Sequence, residues 1–216
     1  MVAVRSLHPA GLISKMVAEN LYIVEEVFLF MKQKNKIRLF GSLKNLTICA
    51  MLTATSVAIG IFCKNFLDFG GVFRITFENL PIILTGILFG PIVGGVVGAG
   101  SDLISYLFSN QVYPPNLIVT LGACLVGVIS GICSKFIIRK RGTAQIVLSG
   151  ALAHIVGSMI VKPIGLFQYY QLLVLWRIPI YLIIAPIEIL LICSLLKRKS
   201  FASVVGYVDR ERKNDL

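Results

Sequence analysis

A few ionisable side chains stand inside otherwise apolar stretches of this chain, and these residues could do chemistry. Asp102 lies within the apolar segment 99–108, and His154 lies among small residues. An ionised aspartate at the centre of a membrane helix costs about 2.5 kcal/mol or more, so it normally faces a partner, a cavity or a substrate. We therefore predict that Asp102 and His154 line a binding site. For His154 the alternative is an interhelical hydrogen bond.

Three cations stand beside apolar runs: Arg74, Lys162 and Arg177. Ammonium and guanidinium groups pair with carboxylates, and arginine can do so through two parallel hydrogen bonds. We expect the three to surround one external pocket, with interfacial anchoring by long side chains as the alternative. Glu78, followed by Asn79, either lines this pocket or braces Arg74 through a salt bridge.

Aromatic side chains accompany these charges and could stack on a flat heteroaromatic ring. The competing interpretation is an aromatic belt, because Trp and Tyr collect at membrane interfaces. The candidates are Phe77, Tyr106, Tyr113, Tyr169, Tyr170 and Trp176.

The amino-acid composition indicates the class of protein in which these residues lie. Of the 216 residues, 56% are hydrophobic and only 14% are charged, with a mean hydropathy of +0.86. A soluble domain needs a more highly charged surface. The length accommodates about six membrane spans of roughly 20 residues. We predict an all-α membrane protein, a bundle of six transmembrane helices.

Apolar runs separated by charged or helix-breaking residues place the six spans. Gly90-Pro91 separates the second from the third, Gly94, Gly95, Gly98 and Gly100 would let another helix approach closely, and Lys162-Pro163 ends the fifth. A loop is expected at 165–172. The spans are predicted at about 43–62, 77–89, 92–109, 117–138, 144–161 and 175–196.

The net charge of +11 does not indicate a nucleic-acid partner, because the basic clusters lie beside apolar runs. Lys and Arg concentrate at 32–38, 135–141 and 197–199, a pattern typical of cytoplasmic loops. The N and C termini are therefore predicted to be cytoplasmic. The loops at 63–76, 110–116 and 162–174, which hold most of the polar candidates, would then face outward.

Three regions are expected: an N-terminal cytoplasmic segment (1–40) that is dispensable before Met31, a six-helix membrane domain (41–200) and a short polar tail (201–216). The five cysteines form no Cys-x-x-Cys pair and indicate neither disulfides nor a metal site. Metalloprotease, phosphate-loop and nucleophile-elbow motifs are absent from the sequence. We therefore expect no enzyme activity and no cofactor.

Several linked motifs resemble one transporter family. They are Arg-x-x-Phe-x-x-Leu-Pro, then Gly-x-Leu-x-Gly-Pro before the glycine-rich helix, then Asp-Leu-Ile-x-Tyr. The similarity continues through 113–131 and 176–191 and spans roughly 40–200. The chain resembles the substrate-binding (S) component of energy-coupling factor (ECF) vitamin transporters, most closely the folate-specific branch. The matching residues are Arg74, Phe77, Leu80, Pro81, Gly86, Leu88, Gly90, Pro91, Asp102, Leu103, Ile104 and Tyr106.

The resemblance implies a partner as well as a ligand. In S components an Ala-x-x-x-Ala ridge in the first span docks against a transmembrane coupling subunit, and two ATPase subunits supply the energy. Ala50, Ala54 and Ala58 form such a ridge here, with packing inside the bundle as the alternative. The expected location is the bacterial plasma membrane.

The resemblance also favours a folate-like substrate. Asp102 could accept hydrogen bonds from the ring N–H and the amine of a pterin, while the cations bind the glutamate tail. Riboflavin, pantothenate and thiamine remain alternatives, although a rim of cations disfavours cationic thiamine. From other classes, a lipid-modifying membrane enzyme using Asp102, His154 and Glu188, or a structural scaffold, stays open. Glu188 itself is expected to be structural or to face a partner.

Overall fold

Helices dominate the computed structural model, which describes residues 43–69, 73–108, 116–137, 142–198 and 201–202, without the side chains of residues 68, 69, 73, 74, 168 and 170. The α-helices are α1 (Leu43–Phe66), α2 (Asn79–Phe89), α3 (Pro91–Leu107), α4 (Leu117–Ile132), α5 (Thr143–Ala153), α6 (Lys162–Tyr170) and α7 (Arg177–Lys197). The π-helical segment Cys133–Ile137 extends α4, and a second, His154–Val161, joins α5 to α6. The 3₁₀ segment Gln171–Trp176 joins α6 to α7.

Four helical stretches in the described ranges are long and apolar enough to cross a membrane: Leu43–Phe66, Leu117–Ile137, Thr143–Phe167 and Gln171–Lys197. Helices α2 and α3 are apolar but shorter. At 1.5 Å per residue, the 11 residues of α2 span about 16 Å, roughly half of a 30 Å hydrocarbon core. The predicted helical fold with six apolar segments is confirmed. Between α1 and α2, the two-residue strands β1 (Asp68–Phe69) and β2 (Phe73–Arg74) pair antiparallel.

The short helix α2 lies at the centre of the described bundle. Its residues from Asn79 to Leu88 are buried except for the partly buried Leu80, and its isoleucines and leucines form the main apolar core with residues of α4, α5 and α7. A helix enclosed in this way can hold polar groups away from both lipid and water. The polar residues at its first turn therefore need hydrogen-bonding partners within the protein.

The predicted break at Gly90-Pro91 is confirmed. Gly90 has a φ of 101°, a conformation that favours glycine, and its N–H donates to the carbonyl of Gly86 at 2.9 Å. Pro91 opens α3, where its missing N–H costs nothing. Lys135 Nζ donates to the carbonyl of Phe89 at 3.0 Å. The turn is thus held by a side chain from the end of α4.

Glycines bring α3 and α4 into backbone contact. A Cβ added to Gly94 would lie 2.6 Å from the carbonyl oxygen of Gly127, and one added to Gly98 would overlap the carbonyl of Ala123. The prediction of a close helix approach is confirmed for Gly94 and Gly98. It is not met for Gly100, where an added Cβ would meet no described atom within 4 Å.

Three predicted boundaries are wrong. The helix continues through Lys162-Pro163, because the π-helical segment His154–Val161 runs directly into α6, with Pro163 in the first turn of α6. The expected loop at 165–172 is instead the end of α6 and the start of the 3₁₀ segment. Likewise, α1 extends to Phe66, past the predicted end at 62. The predictions for segment 1–40, for Tyr113 and its loop, and for the tail after residue 202 lie outside the described residues.

We expect Gly98→Ala to destabilise the protein by about 1–3 kcal/mol, because the added methyl group must separate α3 from α4. Gly100→Ala, in the same helix, is the matched control and should leave stability unchanged or slightly higher, since alanine favours helix. Thermal unfolding of both variants in detergent measures the difference. Equal midpoints would mean that α3 and α4 do not pack through Gly98.

Candidate functional site

A narrow polar cleft lies where four helices meet beside the start of α2. It is too tight to hold even a water molecule, so the described residues leave no enclosed ligand pocket at this point. They give the position of a polar cluster at the start of α2, and its role in ligand binding stays a prediction. The lining residues are Ser56 from α1, Glu78 and Ile82 at the start of α2, Ser101 and Asp102 from α3, and Ala123 from α4.

Glu78 and Lys162 form a buried ion pair beside this cleft. Lys162 Nζ lies 3.2 Å from Glu78 Oε1, and the two side chains are only 4% and 9% exposed. The same ammonium group donates to Asn79 Oδ1 at 3.1 Å. Removing two charges from solvent is expensive, so the pair is tolerated only because each charge has close partners. Glu78 is thereby held as the carboxylate at the cleft.

Backbone contacts fix the position of Glu78. Its carbonyl accepts a hydrogen bond from Ser56 Oγ at 2.8 Å, which ties α1 to the start of α2. Its N–H donates to Thr76 Oγ1 at 3.3 Å. One residue on, Asn79 Nδ2 donates to Ser158 Oγ at 3.3 Å. The first turn of α2 is thus held from both sides.

Asp102 is held from α4. Thr120 Oγ1 donates to Asp102 Oδ2 at 2.9 Å, so the hydroxyl occupies one of the two carboxylate oxygens. Asp102 is partly buried and lines the same cleft as Glu78. The arrangement brings two carboxylates to one small space, with a lysine behind only one of them. Such a surface accepts hydrogen bonds and attracts donors.

The structure describes the side chains of two of the three predicted cations, Lys162 and Arg177. Lys162, expected at the rim of an external pocket, is instead 3% exposed and contacts Glu78 and Asn79. Arg177 is also buried, at 4% exposure. Arg74 lies in β2, but its side chain is outside the described part of the structure, so the predicted bracing by Glu78 is untested. The partner of Glu78 that the structure describes is Lys162.

Among the aromatic candidates, Phe77 and Tyr106 are partly buried, whereas Tyr169 and Trp176 are 38% and 57% exposed. The described cleft has none of the four in its lining. Their exposure suits either an outer wall of the site or an interfacial belt, and both interpretations remain predictions.

His154 forms a second buried pair. Its Nε2 lies 2.8 Å from Oε2 of Glu188 on α7, and both side chains are fully buried. The contact joins two helices, but neither ring nitrogen of His154 has a hydrogen-bond partner of good geometry among the described residues, so the interhelical hydrogen bond stays a prediction. His154 is not among the residues that line the described cleft. Glu188, expected to be structural or to face a partner, is the partner of His154.

The alanine ridge points away from the described bundle. Ala50, Ala54 and Ala58 are all exposed, whereas Ser56 and Gly60 on the same helix are buried. Packing of the ridge inside the described bundle does not account for its small side chains. Docking to another subunit stays a prediction.

Sequence reasoning missed the hydroxyl groups that contact Asp102 and the first turn of α2. The hydroxyls of Ser56, Thr120 and Ser158 carried no signal, because serine and threonine are common in membrane helices. One signal was present. His154, Ser158 and Lys162 recur every four residues, which places polar groups on one helix face.

Removing one partner of the buried ion pair should destabilise the protein, and removing both partners should destabilise it less. We expect Lys162→Met to destabilise the protein by about 3–5 kcal/mol, because Glu78 would be left buried and unpaired. The double variant Glu78→Gln/Lys162→Met should recover much of that loss. Thermal unfolding in detergent checks both, with the exposed Lys44→Met as the control. Additive effects of the two substitutions would contradict the pairing.

The family comparison agrees with this architecture. A family model described as "ECF transporter, substrate-specific component" matches residues 44–208. A crystal structure of FolT bound with folic acid has a TM-score of 0.57 and 24% sequence identity, covering 74% of this chain and 98% of that chain. That similarity shows a shared fold.

Curated relatives match parts of the chain. The folate transporter FolT of Clostridium novyi (strain NT) is 35% identical over 78 residues, which cover 36% of this chain. An uncharacterized protein, the MG098 homolog of Mycoplasma pneumoniae (strain ATCC 29342 / M129 / Subtype 1), is 36% identical over 103 residues, or 44% of this chain. The matches span 42% and 21% of those relatives' own lengths. Because the family model covers most of the chain, the protein belongs to the substrate-specific components of ECF transporters.

Proposed function

We propose that this protein is the substrate-binding subunit of an ECF-type importer that captures folate from outside the cell. The observation that carries the substrate assignment is the pair of carboxylates, Glu78 and Asp102, at one narrow cleft. A pterin presents ring N–H and amine donors along one edge, and a carboxylate can accept both. The name of the relative from Clostridium novyi and the fold shared with FolT support the same substrate.

The charges suggest how folate is oriented. Lys162 is engaged by Glu78 and Asn79, so the inner end of the site is rich in acceptors rather than cations. The pterin ring therefore enters first, and the glutamate carboxylates stay toward the outer surface. Arg74 and Arg177 are the cations proposed to bind those carboxylates. Phe77, Tyr106, Tyr113, Tyr169 and Trp176 would form the aromatic walls.

The proposed topology places the six apolar segments in the bacterial plasma membrane, with both termini in the cytoplasm. The basic clusters at 135–141 and 197–199 support this orientation. The hairpin after α1 and the 3₁₀ segment before α7 would then lie near the outer surface, as the positions of Arg74 and Trp176 require.

Transport needs subunits beyond this one. We propose a transmembrane coupling subunit and two ATPase subunits as partners, since the chain carries no phosphate-binding loop of its own. The exposed stripe of Ala50, Ala54 and Ala58 is the proposed contact with the coupling subunit. Small side chains permit close approach of a second helix in the membrane.

Folate binding can be measured by the fluorescence of Trp176, the only tryptophan. We expect saturable quenching by folate and little response to thiamine. Asp102→Asn should weaken folate binding about ten- to a hundredfold, since a hydrogen bond to a charged group contributes about 1.5–3 kcal/mol. A folate analogue without the 2-amino group should lose much less affinity in the variant. An equal loss for both ligands would exclude Asp102 as the partner of that amine.

A bulky substitution in the alanine ridge should impair docking to the coupling subunit without impairing folate binding. Ala54→Leu should prevent assembly with the coupling subunit, because a bulky side chain holds the two helices apart, while folate binding by the isolated subunit stays intact. Co-purification with the coupling and ATPase subunits measures assembly. Thr55→Leu, also exposed on α1, is the control. Normal assembly of the Ala54→Leu variant would show that the ridge does not form the interface.

A further inference from the structure

A buried polar stripe follows α5 into α6. His154, Ser158 and Lys162 are spaced four apart and are 0%, 0% and 3% exposed. Each reaches a polar group on another helix: Glu188 on α7, Asn79 on α2, and the Glu78–Asn79 pair. Polar side chains inside a membrane are costly and normally functional. The stripe links the polar cleft to the last helix.

The stripe coincides with the π-helical segment His154–Val161. The N–H of Lys162 donates to the carbonyl of Gly157, five residues back, instead of the usual four. A π-turn inserts an extra residue and changes the direction of every side chain beyond it. Such turns are rare and are found frequently at functional sites. Lys162 owes its direction to this wide turn.

Contacts hold the π-segment at both ends. At its first residue, His154 Nε2 lies 2.8 Å from Glu188 Oε2. Just beyond its last residue, Lys162 meets Glu78 and Asn79. The stem of Lys162 lies against Gly122, where an added Cβ would come within 2.7 Å of Lys162 Cγ. The segment therefore cannot shift its register without breaking a buried polar contact.

We propose that His154 and Glu188 are positioning residues for substrate binding. Their contact keeps the π-turn that presents Lys162 to Glu78, and Lys162 in turn neutralises and orients the carboxylate beside Asp102. His154 and Lys162 lie eight residues apart on one buried stripe, so the two pairs share one helical segment. The inference rests on the proposed function, because it assigns a role toward the same cleft.

The decisive variant removes both members of the pair. His154→Leu/Glu188→Met replaces a buried polar pair by apolar residues of similar size, and replacing both partners in this way can be nearly neutral for the fold. We expect this variant to unfold near the wild-type temperature yet to bind folate about ten- to a hundredfold more weakly, the usual effect of losing an outer-shell partner. Ile187→Met, on the adjacent exposed position of α7, should change neither. Wild-type affinity in the folded double variant would overturn the proposal.

A second experiment uses no ligand and does not need the His154→Leu/Glu188→Met variant. The coupling between Glu78 and Lys162 is measured by a double-mutant cycle of thermal unfolding, once in the wild-type background and once with Glu188→Gln, which retains a hydrogen-bonding group at this position. We expect the coupling to fall with Glu188→Gln, since the register of Lys162 is loosened. An unchanged coupling would overturn the positioning role. Failure of the wild type to bind folate would instead overturn the proposed substrate and leave the coupling result standing.

Discussion

The buried ion pair between Lys162 and Glu78 is the constraint on which the site depends. Two charges placed among apolar helices must satisfy one another, because neither lipid nor water is there to do so. The lysine lies where α6 begins, and the carboxylate lies where α2 begins. Helices far apart in the sequence are therefore held at their ends, next to the cleft that Asp102 also lines.

Close packing makes that pairing possible. Within a bilayer the hydrophobic effect gives helices little reason to associate, so small residues and polar contacts do this work. Gly94 and Gly98 bring α3 against α4, which places Asp102 beside Thr120. Gly122 similarly leaves space for the stem of Lys162. Glycines that are remote from any ligand thus determine where the polar groups stand.

The helical fold was predictable because hydropathy and helix breakers are local signals. Gly90 and Pro91 marked a turn that the structure contains, and the apolar runs marked the six helical segments. Pro163 misled the prediction, since it stands where a π-helical segment passes into an α-helix and the chain stays helical across it. The contact between Lys162 and Glu78 was not predictable from local signals. Lys162 was expected at a rim, and its contact with Glu78 spans 84 positions in the chain.

The sequence by itself determined that this is a helical membrane protein, where its helices lie and which charges are unusual enough to matter. These properties depend on local composition and on the cost of placing a charge in lipid. Only the tertiary structure decided that Lys162 pairs with Glu78, that His154 pairs with Glu188, and that Asp102 shares a cleft with Glu78. Those contacts join residues from different helices, and their geometry follows from glycine packing and from a π-turn that leaves no clear mark in the sequence.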